Sequence, residues 1–401
     1  MDGEMREKYK HWILAFLSLT VLLIVFIVYP SGFQLKISKG PDFLSDELSA
    51  YIDDDKINSD PYAASRYRPE DPLYAPLLAI QYGNKERAET LLKPLVEKSD
   101  SEAMFWLAEI TYGQSIYSGE TAGKLFAKAA EYGNPYAAIR LDNRDIECIQ
   151  YMSHYCSKEW GEKGREILIK LAESGDARAG FALYKHDAVL NGGYSPRATL
   201  SEESFQVLAK AAVDGVKTQY YYPLMELLDL YQKSFAYPIW SRINHGKDDN
   251  YTVSSKDDEL IKSLYMVAAR NNDAYSIYVN FPSKEKGNIL SLDENYIDSQ
   301  TLRTLRIFST VHSYGPIFAR KSTINNEELI NGIAWALVDD FNRNNHEKNI
   351  SLNMFMYFLD RGKNAITPNE TDIEEAKKLS GKIIKSLTPM IYLDENQTKA
   401  L

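Results

Sequence analysis

From Trp12 to Tyr29 the chain runs WILAFLSLTVLLIVFIVY, 18 residues without a charge. At about 1.5 Å per residue such a helix nearly spans a hydrocarbon core of ~30 Å. Trp12 and Tyr29 bracket it as interfacial aromatics do. A cleaved signal peptide has a shorter apolar core that ends in small residues. Here Pro30-Ser31-Gly32-Phe33 follows, with no Cys directly after the run to carry a lipid. The pattern predicts an uncleaved single-pass anchor at 12–29. Arg6, Lys8 and Lys10 precede it, while Lys36 and Lys39 follow it. Positive residues mark the cytoplasmic side, so residues 1–11 are expected in the cytoplasm and the body across the membrane. Residues 30–71, with Asp53-Asp54-Asp55 and several Ser and Pro, show little periodicity and read as a spacer.

From Pro72 onward the pattern becomes helical. Five segments share one template: LLKPLVEKSDSEA (91–103), LFAKAAEYGNPYA (125–137), ILIKLAESGDARA (167–179), VLAKAAVDGVKTQ (207–219) and LYMVAARNNDAYS (264–276). With Val96, Ala130, Ala172, Ala212 and Ala269 as position zero, apolar residues recur at −5, −4, −1 and 0. That is one stripe of an α-helix. Three residues later stand Ser99, Gly133, Gly175, Gly215 and Asn272. Gly and Asn accept the left-handed conformation that ends a helix. Seven later stand Ala103, Ala137, Ala179, Gln219 and Ser276, mostly small, which lets the next helix approach closely. The zero positions are 34, 42, 40 and 57 residues apart, a helix pair per unit with loop insertions such as 185–200 and 233–256. A helix pair cannot bury its own apolar stripe, but stacked neighbours can. The fold class expected is all-α: a transmembrane helix, then an α-solenoid over 72–280, then a helical continuation and cap over 281–401.

This pattern resembles the Sel1-like repeat family, a relative of the tetratricopeptide repeat. The best unit is AMFWLAEITYGQSIYSGETAGKLFAKAAEYGNP (103–135), with Ala103, Leu107, Tyr112, Gly119 and the closing KAAEYGNP. The resemblance covers roughly 73–280. NGIAWALVD (331–339) and TPNETDIEEAKKLSGKI (367–383) resemble late helices of such arrays, the second capped through Thr367 and Pro368. Residues 296–320 are expected to form another helix pair. Asp339-Asp340 is expected to end its helix against solvent.

Charge and chemistry narrow the role. The net charge of −10 and pI near 5.3 argue against nucleic acid, which needs basic surface to displace counterions. No HExxH, G-x-S-x-G, Walker or dinucleotide motif occurs, so neither an enzyme, a metal nor a cofactor is expected. Cys148 and Cys156 would lie ~12 Å apart on one continuous helix. If the segment between them turns back, a disulfide fits an oxidising compartment; otherwise they are two buried thiols. The 28 Tyr suit helix packing and interfaces alike.

The resemblance implies protein–protein binding on the face lined by the first helix of each unit. Candidate anchors there are Trp106, Glu109, Tyr112, Tyr184, Tyr221 and Tyr222, each with a rival reading as core. Tyr220-Tyr221-Tyr222 is singled out because three successive aromatics on a helix cannot all face one core. Two roles follow. One is a periplasmic, inner-membrane immunity protein that neutralises a cognate antibacterial toxin, such as a type VI secretion phospholipase effector. The other is an envelope scaffold or regulatory adaptor for a cell-wall or signalling complex.

Overall fold

The computed structural model describes residues 40–112 (Asp55 apart), 117–190, 202–236, 255–273, Ser276, 325–342, 349–360 and 366–396 (Thr388 apart). The expected anchor at 12–29, the expected helix pair at 296–320 and most of both insertions lie outside them. The described residues form helices and turns, with no strand among them. No helix among them is long and apolar enough to cross a membrane.

Helix α1 (Asp42–Ile52) is followed by α2 (Tyr74–Gln81), α3 (Lys85–Glu97), α4 (Ser101–Tyr112), α5 (Gly119–Glu131), α6 (Pro135–Arg140), the short α7 (Ile146–Met152), α8 (Lys158–Glu173), α9 (Ala177–Leu190), α10 (Glu202–Lys217), α11 (Tyr222–Ala236) and α12 (Ser255–Arg270). Then come α13 (Asn326–Asn342), α14 (Ile350–Asp360) and α15 (Glu370–Ser386). With α7 set aside as an insertion, α2 to α11 pack each on its neighbour in the chain. The pairs are α2/α3, α4/α5, α6/α8, α9/α10 and α11/α12. A Tyr265 hydroxyl donating to Asp229 at 3.1 Å joins the last. The template's −4 residue, which is Leu92, Phe126, Leu168, Leu208 or Tyr265, is buried in every second helix.

The joints between helices share a construction. Ser99, Gly133, Gly175 and Asn272 have positive φ, and so does Gly83 between α2 and α3. The next residue in each case is Asn or Asp: Asn84, Asp100, Asn134, Asp176 and Asp273. Its N–H reaches back to the carbonyl of Ala79, Leu95, Ala129, Leu171 or Ala268 and closes the finished helix. Its side chain accepts from Arg87, Ala103, Ala137, Ala179 or Ser276 N–H and opens the next helix. Each such cap is worth about 1 kcal/mol. The small residue at offset +7 is therefore the one whose N–H meets the cap.

The fourth joint departs from the expected pattern. Gly215 is helical, and Gln219 takes the positive φ of 59°. A Cβ on Gly215 would lie 2.2 Å from the Tyr220 carbonyl oxygen, so close approach requires glycine there. Because α10 runs one turn longer, Tyr220 and Tyr221 fall in the joint rather than on a helix. The helix-face argument for the three tyrosines therefore fails, and Tyr220 and Tyr221 are both buried.

Other expectations are corrected as well. The stretch read as a spacer is folded from Asp42. Leu44 and Leu48 of α1 enter the core of α9–α12. Asn58 donates to Asn271 at 3.0 Å, and Tyr67 is buried. Short, widely spaced apolar positions hid this packing. Asn369, not Thr367, caps α15, in a reciprocal box with Asp372. Asp339 and Asp340 are buried: Asp340 accepts from Ser351 and Leu352 N–H at 2.8 and 3.1 Å, capping α14. Cys148 and Cys156 form a disulfide with a Cα–Cα distance of 6.0 Å. The chain turns back through Ser153 (φ 52°) and a 3₁₀ turn over Ser153–Tyr155, which makes the bridge feasible.

Candidate functional site

Most of the predicted anchors are structural. Trp106 is fully buried. Glu109 accepts from Arg140 Nε at 3.1 Å, and the Arg140 guanidinium lies over the Tyr112 ring at 5.3 Å. Tyr112 also meets Tyr151 edge-on at 5.9 Å. These contacts tie α4 to α6 and α7. Tyr184 is buried and stacked on Phe181. Tyr221 is buried beside the α12 end of the array. All four of Trp106, Glu109, Tyr184 and Tyr221 are thus withdrawn from any surface by packing against the neighbouring helix. Tyr222 alone reaches the feature described next.

After α15 the chain leaves helical structure, and residues 389–396 run along the array as a non-helical strap. Met390, Ile391, Leu393, Asp394 and Glu395 are buried. The strap's backbone groups are met by side chains from several elements. Tyr74 of α2 donates to the Pro389 carbonyl. Gln81, at the end of α2, uses both ends of its amide: Nε2 donates to the Met390 carbonyl at 3.0 Å and Oε1 accepts from Tyr392 N–H at 2.9 Å. The Ser65 hydroxyl accepts from Ile391 N–H at 3.2 Å and lies 2.9 Å from the Ile391 carbonyl. Tyr222 of α11 donates to the Tyr392 carbonyl. Asn396 Nδ2 donates to the Arg178 carbonyl of α9 at 3.2 Å.

The strap's acidic end meets two arginines. Arg66 pairs with both Glu395 and Glu102 of α4. Burial acts against its charge most strongly, but Glu395, Tyr67, Glu102 and Tyr136 together more than offset it and the guanidinium stays protonated. Burial raises Glu102, with Arg66 opposing. Asp394 is pushed up to about 6, first by burial and then by the adjacent Glu395 charge. Arg178 lies over the Tyr220 ring at 4.5 Å. Tyr136 of α6 stays protonated through burial first and the Glu395 charge second. The groove thus gathers groups from the first helix of every pair.

Comparison with known protein families, characterised proteins and solved structures finds no match.

A second charged cluster is structural. Asp142, fully buried, accepts from Arg144 Nε and Nη2 at 2.9 and 2.6 Å, with His186 Nε2 at 3.2 Å. It locks the α6–α8–α9 contact, where a Cβ on Gly161 would lie 2.0 Å from Asp142 Oδ2. No group of His, Cys, Asp or Glu able to hold a metal occurs among the described residues.

Ser65, Arg66, Tyr74, Gln81 and Arg178 are the groove residues that sequence reasoning missed. Ser65 and Arg66 sit in the presumed spacer. Gln81 carried a faint signal, as the polar end of the otherwise apolar helix YAPLLAIQ, and Arg178 another, between the small residues Ala177 and Ala179.

Proposed function

We propose that this chain is a membrane-anchored solenoid of Sel1-like helix pairs that binds a protein partner along the face of its first helices. Its proposed role is that of a periplasmic immunity protein against an antibacterial toxin. The observation that carries the solenoid reading is the recurring joint, a left-handed residue followed by an Asn or Asp cap. One joint geometry, repeated after the second helix of four of the five template units, stacks pairs in one direction and leaves their first helices along a common face. The disulfide supports an oxidising compartment, and an anchor at 12–29 would concentrate the binding face at the membrane where a toxin acts. Occlusion of a toxin requires only tight binding.

The test is expression of the full chain in bacteria carrying the toxin encoded beside it, with growth and pull-down as readouts. Protection together with a complex of nanomolar or lower Kd supports the reading. Lack of protection against every neighbouring toxin refutes the immunity role.

A further inference from the structure

We propose that the groove holding residues 389–396 is an exchangeable peptide-binding site, occupied in cis by the chain's own strap. Its trans ligand is a partner's peptide with apolar residues followed by paired carboxylates. The proposal rests on the solenoid reading above and names the chemistry of its binding face.

Three observations carry it. First, the strap's backbone is read by side chains: Tyr74, Gln81, Ser65 and Tyr222 together satisfy groups of four successive residues, Pro389 to Tyr392. Recognition of main-chain amides by fixed side chains does not depend on the sequence that supplies them, so another peptide can take the same bonds. The two-point grip of Gln81 on Met390 and Tyr392 also sets the register. Second, one of the groove's two arginines keeps a partner when the strap leaves. Arg66 bonds Glu102 of the body as well as Glu395 of the strap, so departure of the strap leaves the guanidinium paired. Third, the fit is incomplete at the acidic end. Arg178 Nε and one carboxylate oxygen each of Asp394 and Glu395 are buried without a hydrogen-bond partner. Buried unpaired polar atoms weaken binding. A ligand whose carboxylates reached Arg66 and Arg178 together would outcompete the strap.

The strap is tethered, and so holds the site at a high effective concentration. The experiment removes that advantage without removing the strap. A protease site is inserted after Leu387 of the full chain, the folded protein is cut, and a fluorescein-labelled peptide of residues 389–396 is added. The uncut chain is expected to show no anisotropy change. The cut chain is expected to bind the labelled peptide with micromolar or lower Kd. Gln81→Leu should weaken that binding at least tenfold, and so should a peptide carrying Glu395→Gln, which loses the Arg66 pair. A scrambled peptide of the same composition should not compete.

Failure of the cut chain to exchange, with helicity and melting unchanged, overturns the proposal. Loss of helicity on strap release also overturns it, because the strap is then a strut of the fold. Neither result bears on the protection assay: a chain that protects cells without exchanging its strap docks its partner elsewhere.

Discussion

Gln81→Leu isolates the physical basis of the strap. Leucine nearly matches glutamine in volume and keeps the α2 end apolar, but it removes the donor to the Met390 carbonyl and the acceptor for Tyr392 N–H. Both backbone groups then stay desolvated without partners, at about 1–3 kcal/mol each. Added burial of the leucine returns about 1 kcal/mol, for a net loss of about 1–5 kcal/mol. Gln81→Glu separates the two bonds, since it keeps an acceptor for Tyr392 and loses the donor to Met390. The assay is urea unfolding of the full chain in detergent, paired with hydrogen exchange of the 389–396 amides. Exchange of those amides should accelerate before the helical body loosens, because the lost bonds belong to the strap. A stability change under about 0.5 kcal/mol with unchanged protection would refute the reasoning.

Three further outcomes are expected. Replacing Cys148 and Cys156 with alanine opens a bridge between residues eight apart; loop entropy predicts a loss of about 2–3 kcal/mol, read as a lower urea midpoint that reductant reproduces in the parent. Gly215→Ala drives a methyl group against the Tyr220 carbonyl, with an expected loss of about 1–3 kcal/mol in the same unfolding assay. The third outcome concerns pH. Asp394 has a folded value of about 6 against an ordinary 3.8, so the folded state holds its proton more tightly. Its contribution is fully present below about 4 and is lost as pH rises through about 6. Urea midpoints at pH 4, 5, 6 and 7.5 should trace this fall, and Asp394→Asn should flatten it.

Sequence and structure divide the explanation along a physical line. Helix stripes such as Leu91-Leu92 with Leu95-Val96, and the closing Gly133 and Gly175, are local: period 3.6 and the need for positive φ are written in neighbouring residues. They made the all-α architecture and four of the five template joints legible. The fourth joint shows the limit, since Gly215 satisfies the template yet answers to the Tyr220 carbonyl, a contact that exists only once α10 has run on to Lys217. The disulfide was legible as a conditional, and the turn at Ser153 met the condition. The site was hardly legible. Aromatics such as Trp106, Tyr184 and Tyr221 carry the same signal whether they face a partner or a neighbouring helix, and packing resolved them as core. The groove, by contrast, joins Ser65 to Ile391 and Gln81 to Met390 across more than 300 residues of chain. Periodicity reports what a helix does with its own faces; only the tertiary structure decides which distant segment lies along them.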